Sequence, residues 1–285
     1  MHQLDLFKDN PKTIAARQLA EALSARDVER GRAGIQRLAG LDPYHEWVRH
    51  AETLVAVMEA PDPSGQEQGF EWIRCLERDW RPAAEAVLGP DGSEDFLASA
   101  WRRVARAIKA APFDPSRPER HKSWACLQAR DWEGVRRSVR EVEGHETAPV
   151  LLARLAEAES RSNHRAQAVD HWFTLCWQAP AYFERIVEEP SFPDEALADA
   201  WRVAQDSDVE QEWSPEWFPA WVLLEEPELA KKCASRGGTD AARRTFEIVR
   251  SLLTTRQQDS SNLSLRRDLK ALHPGLLGVF LSKYA

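Results

Sequence analysis

The fold is decided by a short motif that occurs three times along the chain and is clearest in LQARDWE, residues 127–133. The same positions read LSARDVE at residues 23–29 and CLERDWR at residues 75–81, so successive copies lie fifty-two residues apart. Because Asp is a preferred N-cap residue of helices, each copy predicts one helix that ends at the Arg and another that begins after the Asp.

The residues after each Asp have the spacing of a buried helix face. One and eight places beyond the Asp, all three copies have apolar residues: Val28 and Ile35, Trp80 and Val87, Trp132 and Val139. Residues seven apart lie on the same side of a helix. A related turn is predicted at Ser162-Asn163-His164, with Asn163 as the cap.

These tight helical hairpins resemble tetratricopeptide-like repeats. The usual period of that family is 34 residues, whereas the period here is 52 and leaves room for a third helix. The resemblance therefore implies a degenerate helical-hairpin array rather than a regular repeat protein. The alternative is that three Arg-Asp turns coincide by chance in an Arg-rich helical chain.

Helix boundaries are dense throughout the chain, and signs of strands are nearly absent. Abundant Ala, Leu, Arg and Glu favour helices, and no sustained alternation of apolar and polar residues indicates a strand. Asn10-Pro11 and Ser214-Pro215 each place a capping residue before a proline at the first helical position. We predict an all-α fold of about fifteen helices, arranged as a helical-hairpin repeat superhelix of the α-solenoid class.

Three regions are predicted: a flexible N-terminal peptide at residues 1–10, a helical-repeat region at 11–190, and a C-terminal helical subdomain at 191–285. The alternative is that residues 191–285 continue the repeats in one superhelix. This region differs from the repeats in the stretch EWSPEWFPAW, residues 212–221, which is dense in aromatic residues and proline.

Three tryptophans of that stretch, Trp213, Trp217 and Trp221, recur every fourth residue and would form a stripe on a helix. Core packing is the default interpretation of such a stripe. The alternative is an aromatic groove for a partner helix or a Pro-rich peptide.

Charge and composition argue against several classes of protein. Among the 285 residues, 46 Asp and Glu outweigh 38 Lys and Arg, and the net charge is -8. We therefore expect no broad electrostatic contact with nucleic acid. Without a signal peptide or a long apolar run, the sequence favours a cytoplasmic protein that does not enter membranes. The widely spaced cysteines are predicted to be reduced core thiols: Cys75, Cys126, Cys176 and Cys233.

The functional signal of the sequence lies at its N-terminus, in Gln3, Leu4, Asp5, Leu6 and Phe7. This stretch resembles the peptide by which many bacterial replication and repair proteins dock onto the DNA sliding clamp. All five positions match that pattern, which reads Gln, Leu, Ser or Asp, Leu, Phe. The resemblance implies that Leu6 and Phe7 fill an apolar pocket and that Gln3 supplies hydrogen bonds. The alternative is a structural arm whose apolar side chains pack on the first helical hairpin.

No arrangement of residues predicts catalysis. His45 and His50 suggest a zincin motif at first, but five-residue spacing points the two side chains in different directions on a helix. A phosphate loop and a nucleophile elbow are also missing from the sequence. We expect no enzyme activity, no cofactor and no metal site; an active site invisible in a single sequence is the alternative.

Together these observations predict a protein–protein interaction adaptor. It would dock on the sliding clamp through residues 3–7 and present a helical scaffold to another factor, as an accessory of bacterial DNA replication or repair. Direct binding of nucleic acid is not expected. The alternative is a helical-repeat scaffold unrelated to replication, with the N-terminal arm packed structurally.

Overall fold

The computed structural model describes residues 10–109, 112–206, 214–234, 237–254 and 261–284. Within these ranges the chain is all-α, as its composition predicts, and no strand occurs. The same ranges contain no helix with both the length and the apolarity needed to span a bilayer. The chain divides into two compact units, Met1–Ser138 and Val139–Ala285.

The first unit consists of helices that pack on their neighbours in the sequence. The elements are α1 (Pro11–Ser24), α2 (Val28–Leu41), α3 (Glu46–Glu59), α4 (Gln66–Cys75), a π-helix (Leu76–Trp80), α5 (Arg81–Ala107), a 3-10 helix (Pro118–Arg120), α6 (Lys122–Gln128) and α7 (Trp132–Arg140). Helix α1 packs on α2, α2 on α3, and α3 on α5, which is interrupted where Gly89 has a φ of 73°. The last helix, α7, crosses the boundary between the units.

Two of the three Arg-Asp motifs form the predicted turn between helices. Arg26 and Arg130 have positive φ values of 57° and 56°, which end α1 and α6 in the left-handed conformation. The carboxylates of Asp27 and Asp131 each accept a hydrogen bond at 2.9 Å from the backbone N–H three residues later. Both aspartates therefore cap the helix that follows, as expected.

The predicted turn at Arg78-Asp79 is wrong, because both residues lie inside the π-helix Leu76–Trp80. The residue three places after Asp79 is Pro82, which has no N–H to donate a hydrogen bond to a capping carboxylate. A proline also leaves the carbonyl four residues earlier without its helical partner, and a π-helical register is one way to accommodate that loss. The chain consequently continues as helix where the other two copies turn.

The second unit is built around an aromatic core. The helices are α8 (Pro149–Arg161), α9 (Arg165–Gln178), α10 (Pro180–Val187), α11 (Glu195–Gln205), α12 (Phe218–Glu225), α13 (Asp240–Thr254), α14 (Ser261–Leu272) and α15 (Pro274–Tyr284), with 3-10 helices at His145–Thr147, Pro215–Trp217 and Pro227–Lys231. The central helix α9 contacts α8, α10 and α12, and the side chains of Trp172, Phe173 and Trp177 on α9 are at most 5% exposed. Residue 190 lies inside this unit, between α10 and α11, so the predicted region boundary there stays a prediction.

The turn between α8 and α9 is present, but its predicted cap is wrong. Asn163 has a φ of 66° and occupies the left-handed position that Arg26 and Arg130 hold in the other turns. The residue before α9 is His164, whose side chain makes no capping hydrogen bond. Instead, its Nδ1 lies 2.8 Å from a carboxylate oxygen of the buried Glu159. The prediction placed the cap one residue too early.

Candidate functional site

The residues of the predicted clamp peptide, Gln3 to Phe7, lie outside the described residues. Asn10 is the first described residue, and its side-chain oxygen accepts a hydrogen bond from the N–H of Lys12 at 3.0 Å. Pro11 follows at the start of α1. The predicted helix start at Asn10-Pro11 is confirmed, and the five-residue motif ends three positions before this cap.

Of the three tryptophans proposed as an aromatic groove, the two that are described, Trp217 and Trp221, do not share one environment. Trp213 lies outside the described residues. Trp217 is half-buried in the 3-10 helix Pro215–Trp217, where its ring meets His273 edge-on at 4.9 Å between centroids. Trp221 on α12 is 4% exposed and belongs to the core of the second unit. The position of Trp221 therefore agrees with core packing, the default interpretation of the stripe.

The cysteine side chains match the expected core thiols at three of four positions. Cys126, Cys176 and Cys233 are buried, Cys75 is half-buried, and all four are free thiols. Burial raises the pKa of Cys126 to about 11 and that of Cys233 to about 12, and it raises the pKa of Cys176 well above its ordinary value. These three groups are protonated at neutral pH and are poor nucleophiles.

His45 has a structural role at the start of α3. Its Nδ1 accepts a hydrogen bond from the N–H of Trp47 at 3.2 Å, which makes the imidazole the N-cap of the helix. Within the described parts of the chain, no three His, Cys, Asp or Glu side chains are grouped as metal ligands.

Sequence reasoning missed a surface pocket in the second unit, which we name the acidic groove. It has a volume of about 440 Å³ and lies between the end of α10 and the first turns of α11. Four carboxylates line it, together with one arginine and an apolar wall. The carboxylates belong to Glu188, Glu189, Glu195 and Asp199, the arginine is Arg202, and the wall is formed by Val187, Pro190, Phe192, Ala198 and Trp201.

Local hydrogen bonds hold the two sides of the groove in place. The N–H of Phe192 donates to the carbonyl of Glu189 at 2.9 Å, which closes the turn after α10. Asp194 then caps α11 by accepting from the N–H of Leu197 at 3.0 Å. The same carboxylate pairs with Arg165 of α9 at 3.0 Å and is only 5% exposed. The groove is therefore anchored to the core helix α9.

The wall of the groove continues the aromatic core. The ring of Phe192 lies against that of Trp172 with 4.9 Å between centroids, and Trp201 meets Phe183 edge-on at 5.5 Å. Trp201 is 1% exposed, and its Nε1 donates to the carboxylate of Glu188 at 3.5 Å. Packed aromatic rings have few conformations to lose, so the wall is preorganised.

The groove carries excess negative charge. Arg202 pairs with Asp199 on its own helix. Among the described residues, the other three carboxylates of the groove form no ion pair. Burial raises the pKa of Glu157 on α8; the charge of Arg161 opposes this rise, and the charge of Glu189 adds to it.

Comparison of the chain with protein-family models, curated proteins and solved structures found no match. An inference about function therefore depends on the residues of this chain alone. The sequence signal that could have located the groove is the run EEPSFPDE at residues 188–195, in which acidic residues flank an aromatic residue and two prolines.

Proposed function

We propose that the protein is an interaction adaptor that docks on the bacterial DNA sliding clamp through Gln3, Leu4, Asp5, Leu6 and Phe7. The observation that carries this proposal is the match at all five motif positions. The protein would act in the cytoplasm as an accessory of replication or repair. Since it would reach DNA through the clamp, its net charge of -8 is no obstacle.

The start of α1 supports a peptide that lies outside the helical body. Asn10 caps the helix and Pro11 occupies its first turn, and neither residue favours a helix that extends further towards the N-terminus. The motif is thus separated from α1 by Lys8, Asp9 and the cap. A short peptide of this kind binds in an extended form in a preformed groove.

The helical body is proposed as the scaffold presented to a second factor. The turns at Arg26, Arg130 and Asn163 share the left-handed conformation, which supports a degenerate tetratricopeptide-like array of hairpins with an irregular period. Helical-hairpin arrays commonly bind proteins on extended surfaces. No catalytic role is proposed for the body.

Binding of the full-length protein to a purified bacterial sliding clamp tests the proposal. We expect the double variant Leu6→Ala/Phe7→Ala to lose most of the affinity, at least about tenfold, because these side chains would fill the apolar pocket. The matched control is Lys8→Ala/Asp9→Ala, which lies beside the motif and should bind like the parent protein. Melting temperatures are measured for all three proteins.

Two results would contradict the clamp proposal. The first is undiminished clamp binding by the Leu6→Ala/Phe7→Ala variant. The second is absence of clamp binding by the parent protein together with a loss of several kcal/mol of stability in the variant, the cost of truncating buried Leu and Phe. That second result would indicate the packed N-terminal arm and a scaffold unrelated to replication.

A further inference from the structure

We propose that the acidic groove binds an arginine-bearing segment of a protein partner. The groove lies in the second unit and uses none of residues 3–7, so the inference stands whether or not the protein binds a clamp. Its partner is identified by charge complementarity and by the apolar wall that the carboxylates surround.

Charge complementarity favours a cationic occupant. The groove has four carboxylates and one arginine, and that arginine is already paired with Asp199. The end of α10 adds the negative pole of a helix, because its last carbonyl groups point towards the turn at Glu188 and Glu189. Arg161 of α8 also reaches the turn, where it donates to the carbonyl of Ser191, but it does not line the groove.

The apolar wall favours arginine over a small inorganic cation. The partly buried ring of Phe192 and the ring of Pro190 face the same pocket as the carboxylates. An arginine side chain has an apolar stem and a flat guanidinium that stacks on aromatic rings and binds carboxylates through two parallel hydrogen bonds. A metal ion would need its ligands grouped closely, and the described residues contain no such group.

The size and openness of the groove favour a peptide segment. A volume of about 440 Å³ is within the range of pockets that bind ligands of several functional groups. Glu188, Glu189, Glu195 and Asp199 are all exposed at its rim, so a chain that passes over the groove can place a side chain between them without burying unpaired charge.

The test titrates the isotope-labelled full-length protein with the blocked tripeptide acetyl-Leu-Arg-Arg-amide. Binding is monitored by NMR through the backbone amide shifts of the protein. We expect saturable shifts confined to the amides of α10, α11 and the turn between them. A peptide with citrulline in place of both arginines keeps the shape but removes the charge, and it should bind at least about tenfold more weakly. A lysine peptide should also bind more weakly than the arginine peptide.

The variant Glu188→Gln/Glu195→Gln removes two groove charges while keeping an acceptor for the Trp201 indole, and it should weaken binding of the arginine peptide about tenfold. The matched control is Glu184→Gln, an exposed carboxylate on α10 that does not line the groove, which should leave the affinity unchanged. Equal binding of the citrulline or lysine peptide, an unaffected double variant, or shifts outside the groove would each overturn the proposal. Equal melting temperatures of the parent and variants exclude unfolding as the cause.

Discussion

The motifs at residues 23–29 and 75–81 contain the same Arg-Asp pair, yet the first forms a turn between two helices and the second lies in continuous helix. Asp27 caps α2 through the N–H of Arg30, while the corresponding position after Asp79 is Pro82. One missing N–H group thus separates the two outcomes. A capping residue specifies a helix start only where the chain also supplies the donor that it needs.

The most direct test places a proline three residues after Asp27, where the second motif has Pro82 after Asp79. Arg30→Pro removes the N–H that donates the capping hydrogen bond to Asp27, and it disfavours the helical conformation of Glu29. We expect a loss of about 2 kcal/mol in the free energy of unfolding, measured by urea denaturation. Arg30→Ala is the matched control and should change stability by less than about 0.5 kcal/mol. Equal effects of the two substitutions would contradict the role of the missing donor.

Alanine substitution of the motif aspartates tests whether Asp27 and Asp131 stabilise a helix start and Asp79 does not. Asp27→Ala and Asp131→Ala should each cost about 1 kcal/mol, the usual value of an N-cap side chain. Asp79 caps no helix start, and its ion pair with Arg78 is exposed. Asp79→Ala should therefore change stability by less than about 0.5 kcal/mol. A comparable loss in all three variants would show that the three motifs are equivalent after all.

A cap made by histidine sharpens the comparison because it depends on pH. The buried His273 caps α15, accepting from the N–H of Leu276 at 3.2 Å, and burial lowers its pKa below the ordinary 6.5. A protonated imidazole cannot accept that bond, so its contribution is present above pH 6.5 and is lost as the pH falls through the lowered pKa.

The variant His273→Asn keeps a capping acceptor that does not titrate. Between neutral pH and the acid side of His273, the parent should lose up to about 1 kcal/mol more stability than the variant. Thermal unfolding of both proteins across this range measures the difference. Parallel pH profiles would show that the imidazole is not the acid-sensitive cap.

The smallest expected effect is that of Arg130, and a comparison with Arg26, the corresponding arginine of the first turn, tests its cause. Arg26 donates to backbone carbonyls of Asp95 and Phe96, whereas Arg130 pairs with the exposed carboxylates of Glu94 and Asp95. Arg26→Ala should cost about 1 kcal/mol at any ionic strength. Arg130→Ala should cost a few tenths of a kcal/mol, and that cost should vanish in about 1 M NaCl. A salt-dependent loss at Arg26 would contradict the assignment.

Much of the secondary structure was predictable because helix starts are local. The caps at Asn10, Asp27 and Asp131 depend on a donor two or three residues away, and such pairs can be read along the sequence. The error at Asp79 was also local, since Pro82 stands in the same stretch. The error at Asn163 was a shift of one residue in a turn that does form.

Of the two candidate sites, one could be predicted from the sequence and the other could not. The match at Gln3 to Phe7 is a property of five consecutive residues and was visible without any structure. The acidic groove was not, although its residues stand within a short stretch. Its wall depends on Phe192 packing against Trp172, and its shape depends on the bond between Asp194 and Arg165, twenty-nine residues apart.

The sequence by itself determined the all-α class and the helix starts at Asn10, Asp27 and Asp131, because these depend on short-range hydrogen bonds. The proposed clamp motif is likewise a feature of contiguous residues. Only the tertiary structure decided that Trp221 is buried in the core, that Arg26 binds carbonyls of α5, and that the carboxylates after α10 surround an apolar wall. Burial and charge clustering depend on which helices pack together, and that packing is not encoded in any single stretch of the chain.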